Sequence, residues 1–165
     1  MSGSATYYSG QALTITSANV DTSLGESSRP NRIGTGIPNE GIGRRGVDYP
    51  WYRLTDFEAV PRCTSRTVCE VSLNGFKPFT FGNSGRNILD GPSQQFINLA
   101  MLKNFRFAER RNFQLRYELF NILNRPNFQL PEKQFNSLGG GIITGVVDRG
   151  RGGPRVMQVA LKFEF

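Results

Sequence analysis

Histidine is absent from this 165-residue chain. That removes Ser-His-Asp and Cys-His constellations, His-ligated metals and imidazole acid–base chemistry. Cysteine is almost absent: Cys63 and Cys69 are the only two. Two thiols are too few for a structural zinc site. No run of about 18 apolar residues occurs, so no segment is a candidate transmembrane helix. The first ten residues, MSGSATYYSG, have neither a basic start nor an apolar core and do not read as a signal peptide. Tryptophan occurs once, and only 38% of the chain is hydrophobic. Such a balance argues against a compact helical core.

What is present is phenylalanine (13), glycine (19) and proline (9). Many Phe and Gly at low overall hydrophobicity suggest short strands joined by long polar loops. The formal net charge is +7 and the sequence pI is about 9.9. That charge favours anionic partners, either nucleic acid or a phosphate-bearing membrane surface; solvated loop charge accounts for it equally simply. Cys63 and Cys69 lie six residues apart in one loop-like stretch. They can close a small disulfide in an oxidising compartment or remain thiols in a reducing one.

Periodicity places the strands. Residues 5–16 (ATYYSGQALTIT) are rich in Thr, Tyr and Ile and read as a strand. Residues 17–94 carry little periodicity and read as a long loop. In 96–107, Ile97, Leu99, Met101, Phe105 and Phe107 share one face, which Lys103 interrupts. Asn98, Ala100, Asn104 and Arg106 share the other with Phe96 and Leu102. A polar corner at 108–112 follows. Then Phe113, Leu115, Tyr117 and Leu119 alternate with Gln114, Arg116 and Glu118, so 113–123 reads as the second strand of a hairpin. Helix competes there on propensity, but strict alternation decides for strand. Asn124-Arg125-Pro126-Asn127 breaks it, and 124–155 is loop. The final strand, 156–165, sets Met157, Val159, Leu161, Phe163 and Phe165 against Gln158, Ala160, Lys162 and Glu164.

In lipid every backbone polar group must pair internally, so a spanning sheet closes into a barrel with an apolar outer and a polar inner face. Each spanning strand needs about 9–11 residues. A soluble half-buried sheet alternates too. The chain end separates the two. A terminal aromatic, with apolar residues at every second position before it, resembles the signature by which outer-membrane barrels are recognised for assembly. Met157, Val159, Leu161, Phe163 and Phe165 fill it. The fold class is therefore all-β: antiparallel strands of a partial outer-membrane β-barrel, about four of them, with long irregular loops. If the last strand runs down to the periplasm, the corner at 108–112 is periplasmic and both long loops are extracellular, the distribution expected of such barrels. That orientation favours the Cys63–Cys69 disulfide.

Further stretches are similar to one family. These are Ser9-Gly10-Gln11, Arg29-Pro30-Asn31, Trp51-Tyr52 with Phe57, FGNSGRNILDGP at 81–92, LKNFRF at 102–107, YELFNILNRPNF at 117–128, and the terminal strand. They resemble the C-terminal part of TonB-dependent receptors, the group with an N-terminal carboxypeptidase-regulatory-like domain. The resemblance implies energised uptake of a bulky solute through a plugged barrel of about 22 strands. About four strands cannot close a barrel, which needs at least 8. The expectation is a fragment, 1–165 being one C-terminal barrel segment, inactive alone. Its expected partners are outer-membrane lipid and lipopolysaccharide, the barrel-assembly machinery, the remaining barrel and plug of the parent receptor, and TonB through that plug. No cofactor, metal or catalytic residue is expected.

Rival readings are weaker. Arg149-Gly150-Arg151-Gly152-Gly153 is a single short Arg-Gly run, so a nucleic-acid partner is not expected. The Gly139–Gly145 run lacks the Lys-Ser/Thr end of a phosphate loop. Asp56, Glu58, Glu109 and Glu118 show no spacing suited to paired acid–base work. A small soluble β-rich binding module is the remaining alternative. Tyr7, Tyr8, Phe105, Phe107 and Phe113 suit membrane-interface girdles. Arg44, Arg45, Arg149 and Arg151 suit anionic lipid or solute, or plain loop solvation.

Overall fold

A computed structural model of the chain describes residues 1–18, 29–37, 48–65, 67–108, 111–147 and 153–165. Its strands are β1 (Ser2–Tyr8), β2 (Ala12–Leu13), β3 (Asn31–Arg32), β4 (Phe57–Glu58), β5 (Leu89–Asp90), β6 (Gln94–Ala108), β7 (Arg111–Phe120) and β8 (Val156–Glu164), with a 3₁₀ turn at Leu54–Asp56. The architecture is all-β and antiparallel. The chain divides into two compact units. One comprises Met1–Ser9, Pro92–Phe128 and Gly145–Phe165; the other comprises Gly10–Gly91 and Gln129–Thr144.

The first unit is a four-stranded sheet in the order β1-β6-β7-β8. Its registers explain the alternation seen in the sequence. Leu99, Leu119 and Met157 form one row across three strands, and Met101, Tyr117 and Val159 form the next. Directly opposed residues share a face, so the faces are built row by row, with Lys103 in an otherwise apolar row and Leu102 opposite Arg116 on the other side. The sheet does not close: β1 and β8 each keep a free edge among the described residues.

Several strand limits differ from the sequence reading. The strand expected over 5–16 is split: β1 ends at Tyr8, and Ala12–Leu13 pairs with Leu89–Asp90 in the other unit. The strand expected over 113–123 ends at Phe120, because Asn121 takes a left-handed backbone with φ 50°. Such a conformation stops a strand, and Asn tolerates it better than other non-Gly residues. Asn121 then secures the corner. Its amide donates to the carbonyls of Arg125 (2.9 Å) and Gly153 (2.7 Å), and its N–H donates to Asn98 Oδ1 (3.0 Å). At the far end of the hairpin the register slips between Arg106 and Ala108, so Phe107 is a bulge residue.

The second unit departs further from expectation. Residues expected to form two irregular loops pack around one core of Leu13, Ile15, Tyr52, Phe57 and Leu89, flanked by Trp51, Leu54, Ile88 and Phe135. Regular structure is indeed scarce: two two-stranded ladders, β2–β5 and β3–β4, and the 3₁₀ turn. Backbone bonds between distant segments replace long strands. Thr16 N–H donates to the Lys133 carbonyl (2.9 Å), Phe135 N–H to the Thr16 carbonyl (3.0 Å), and Trp51 N–H to the Gly141 carbonyl (2.7 Å). Burying backbone without such partners would be costly, so these bonds are what lets an irregular chain form a core. Tyr52 and Phe57 meet edge to face, with centroids 5.8 Å apart, an arrangement favoured by the ring quadrupoles.

Candidate functional site: a lipid-facing sheet and a folded loop unit

One face of the sheet is apolar across all four strands. From the hairpin turn outward its rows are Phe105-Phe113-Phe163, then Lys103-Leu115-Leu161, then Met101-Tyr117-Val159, then Leu99-Leu119-Met157 with Gly3 beside Leu99. Met157, Val159, Leu161 and Phe163 are each at least 55% exposed, and Phe165 is 95% exposed. An apolar face this continuous, left uncovered, is suited to lipid rather than water. Its polar atoms are handled locally. The Tyr117 hydroxyl donates to Met157 Sδ at 3.3 Å. The Lys103 ammonium lies 5.9 Å from the centre of the Phe105 ring, one row from the aromatic end. A long side chain there can carry its charge to the interface.

The opposite face is polar and self-paired. Gln114 Nε2 donates to Asn104 Oδ1 (2.9 Å), and Asn112 Nδ2 to Glu164 Oε2 (3.3 Å). Arg116 pairs with Glu118 at 2.6 Å and Lys162 with Glu164 at 2.6 Å. Among the carboxylates weighed in the sequence, Glu118 is thus an ion-pair partner. Asp56 accepts from Gly36 N–H (2.7 Å) and faces Arg53 (3.9 Å), and Glu109 lies outside the described residues.

The residues expected at the interface girdles separate. Phe105 and Phe113 adjoin at 6.0 Å, and Phe163 and Phe165 stack at 6.1 Å. Together they form an aromatic band at the turn end of the sheet. Tyr7 is on the apolar face, opposite Gln95, but its neighbour Tyr8 is on the polar face and packs edge-on against Phe96 at 6.1 Å. Adjacent strand residues cannot share a face, so both tyrosines cannot meet lipid. Arg44, Arg45, Arg149 and Arg151 lie outside the described residues.

The loop unit brings together three of the stretches that carried the family resemblance. Gly91 N–H donates to the Gln11 carbonyl (2.9 Å), and Ser84 N–H to the Pro30 carbonyl (3.0 Å). Asn83 Oδ1 accepts from Arg32 N–H (2.6 Å), and Thr14 and Asn87 bond reciprocally. The stretch 81–92 therefore staples 10–14 and 29–32 together. Gly82 is required at this junction, because a Cβ would overlap the Arg29 and Pro30 carbonyls. The Gly139–Gly145 run is a turn as well: Gly141 has φ 73° and its carbonyl accepts from Trp51.

Cys63 and Cys69 are joined by a disulfide. It staples a small hairpin in which Arg62 and Glu70 bond through Glu70 N–H to the Arg62 carbonyl (2.7 Å) and Arg62 N–H to Glu70 Oε2 (3.0 Å). Beside it lies a cavity of about 510 Å³. Glu58 and Glu70 both line it, a juxtaposition invisible in the sequence because 12 residues separate them in the chain. Burial draws the Glu58 carboxyl upward, but hydrogen bonds from the Asn74 and Ser72 side chains and the Leu73 and Asn74 N–H groups outweigh it. Its pKa lies below the ordinary carboxylate value.

A sheet apolar on one face across every strand, and polar and internally paired on the other, is wall material for a membrane-spanning β-barrel. Residues 1–158 match the family model described as an outer membrane beta barrel domain, and the chain belongs to that family. Neither a curated protein nor a solved structure matches it.

Proposed function

We propose that this outer-membrane β-barrel chain is the C-terminal part of a TonB-dependent receptor that takes up a bulky solute, with no catalytic step of its own. The observation that carries the reading is the meeting of Gly10-Gln11, Arg29-Pro30-Asn31 and residues 81–91 in one folded loop unit. Packing together of stretches that resemble one family supports the reading. Two free sheet edges support the same reading, since an open edge in lipid leaves backbone groups unpaired. Further strands of the parent receptor cover them.

In this reading the loop unit faces the outside, where it meets lipopolysaccharide and the solute. Phe165 and the residues alternating with it engage the assembly machinery, and TonB acts only through the plug of the parent. The deciding experiment is to sequence the coding region upstream of Met1. An in-frame or frameshifted continuation encoding a plug and more alternating strands is the expected result. An unrelated gene behind a clean promoter would overturn the proposal.

A further inference from the structure

The depression of about 510 Å³ in the loop unit is open to solvent and large enough for a small molecule. Its apolar lining includes the buried Phe57 and Pro61 and the exposed Val71 and Leu73, the last two 90% and 95% exposed. Its two ionisable lining residues, Glu58 and Glu70, are both carboxylates, and none of its described lining residues is basic. In a chain of net charge +7 that is a local reversal of sign.

Among the described residues, the neighbouring arginines Arg32, Arg53 and Arg62 are engaged elsewhere. Arg32 donates to the Gly34 and Thr35 carbonyls (2.7 and 2.9 Å), Arg53 faces Asp56, and the Arg62 guanidinium is directed at the Ala18 carbonyl (3.5 Å). Among the described residues neither Glu58 nor Glu70 forms an ion pair. Glu58 is instead positioned by Asn74 Nδ2 (2.6 Å) and Leu73 N–H (3.2 Å), and Glu70 by Arg62 N–H. Each carboxylate oxygen can accept more than one donor, so acceptor capacity remains on both groups. The disulfide ends one residue before Glu70 and braces that wall.

From this geometry we infer that the cavity binds an organic cation, an amine or guanidinium attached to an apolar body. The apolar part lies against Phe57, Pro61, Val71 and Leu73, and the cationic head meets Glu58 and Glu70. The inference rests on the loop unit facing the outside, and it gives the proposed solute a chemical class.

The test uses the assembled barrel in lipid nanodiscs, titrated calorimetrically with 4-phenylbutylamine and separately with 4-phenylbutyrate. The two probes share an apolar body and differ in the sign of the head. The amine is expected to bind and the carboxylate not. Glu70→Gln and Glu58→Gln should each weaken amine binding about tenfold, the worth of one charge-assisted hydrogen bond. Glu164→Gln, which removes the same charge from β8, should leave it unchanged. Near-UV circular dichroism confirms that each variant is folded; because Glu70 bonds among the described residues to Arg62 alone, whereas Glu58 is held by several groups, Glu70→Gln decides the matter if Glu58→Gln unfolds. Equal binding of both probes, no binding of the amine, or full binding by Glu70→Gln would overturn the inference. The measurement does not involve uptake, so a parent that fails to transport would count against the receptor proposal alone.

Discussion

The Tyr52 hydroxyl donates to the Glu132 carbonyl at 2.8 Å, across 80 residues of sequence. With the neighbouring bond from Trp51 N–H to the Gly141 carbonyl, it joins the two long connections of the chain, and Tyr52 is 1% exposed. Burial and the nearby Glu132 charge push the Tyr52 pKa well above the ordinary tyrosine value, against a smaller opposing effect from Gly141. A folded pKa raised above the unfolded one gives stability that is complete below the unfolded pKa and lost as pH rises past it. The loop unit should therefore hold its stability to about pH 10, the ordinary tyrosine value, and lose it above. Tyr52→Phe removes one of two bonds to the Glu132 carbonyl, which keeps the Gly141 N–H (2.9 Å), and should cost about 0.5–1.5 kcal/mol at neutral pH. It should also flatten the alkaline loss. Urea titrations at pH 8 and pH 11 check both; an equally steep alkaline loss in Tyr52→Phe would contradict the assignment.

Gly82 is the point of closest backbone approach between 29–30 and 82–84. Gly82→Ala forces these segments apart and should destabilise the loop unit by about 1–3 kcal/mol. Gly75, which has open space around its Cβ position, has φ 76° and so serves as a control for backbone strain without crowding. A Gly75→Ala loss equal to that of Gly82→Ala, by hydrogen exchange of the Ser84 amide, would show that crowding is not the cause.

The rows of the apolar face predict depth. Val159 lies in the Met101-Tyr117 row, two rows from the aromatic band, and Lys103 lies one row from it. In the assembled barrel Val159→Arg should cost about 2–4 kcal/mol, whereas Lys103→Leu should change stability by less than about 1 kcal/mol. Reversible unfolding in lipid vesicles measures both. Equal effects would mean that this face does not span a lipid gradient.

Phe165 stacks on Phe163 and is otherwise open. Its removal leaves the sheet pairing of β8 intact, since that pairing runs from Val156 to Glu164. Within the proposed parent receptor, deletion of Phe165 should lower surface levels several-fold while the purified, refolded variant keeps its unaltered counterpart's stability. Surface immunolabelling gives the first quantity. Unchanged labelling would remove Phe165 from any part in assembly.

The sheet was legible in the sequence because its signal is local. Alternation from Met157 to Glu164 needs only neighbouring residues to declare two faces, and β7 repeats it. Lys103 and Phe96 read as interruptions of the pattern. The register shows what accommodates them, the Phe105 ring for one and Tyr8 for the other. The loop unit was not legible for the opposite reason. Leu13, Ile15, Tyr52, Phe57 and Leu89 have no common period, and their core exists only once distant segments meet. The 81–92 stretch stood out by its resemblance, but its glycines and asparagines are there for close backbone approach and side-chain staples, which carry no periodic mark. The cavity carboxylates were equally hidden, because only the fold sets Glu58 beside Glu70.

The backbone bonds of Thr16 to Lys133 and Phe135 impose an order of events. Residues 10–91 leave the ribosome and cross the envelope well before 129–144, with the β6–β7 hairpin between them in the chain. Until 129–144 has been placed, the Thr16 backbone groups and the Tyr52 hydroxyl lack the Lys133, Phe135 and Glu132 partners of the finished unit. Loop closure over more than a hundred residues is slow relative to local strand pairing. Completion of the loop unit thus waits for 129–144, and a chain stalled before residue 129 would lack the Phe135 flank of its core and the bonds to Thr16 and Tyr52.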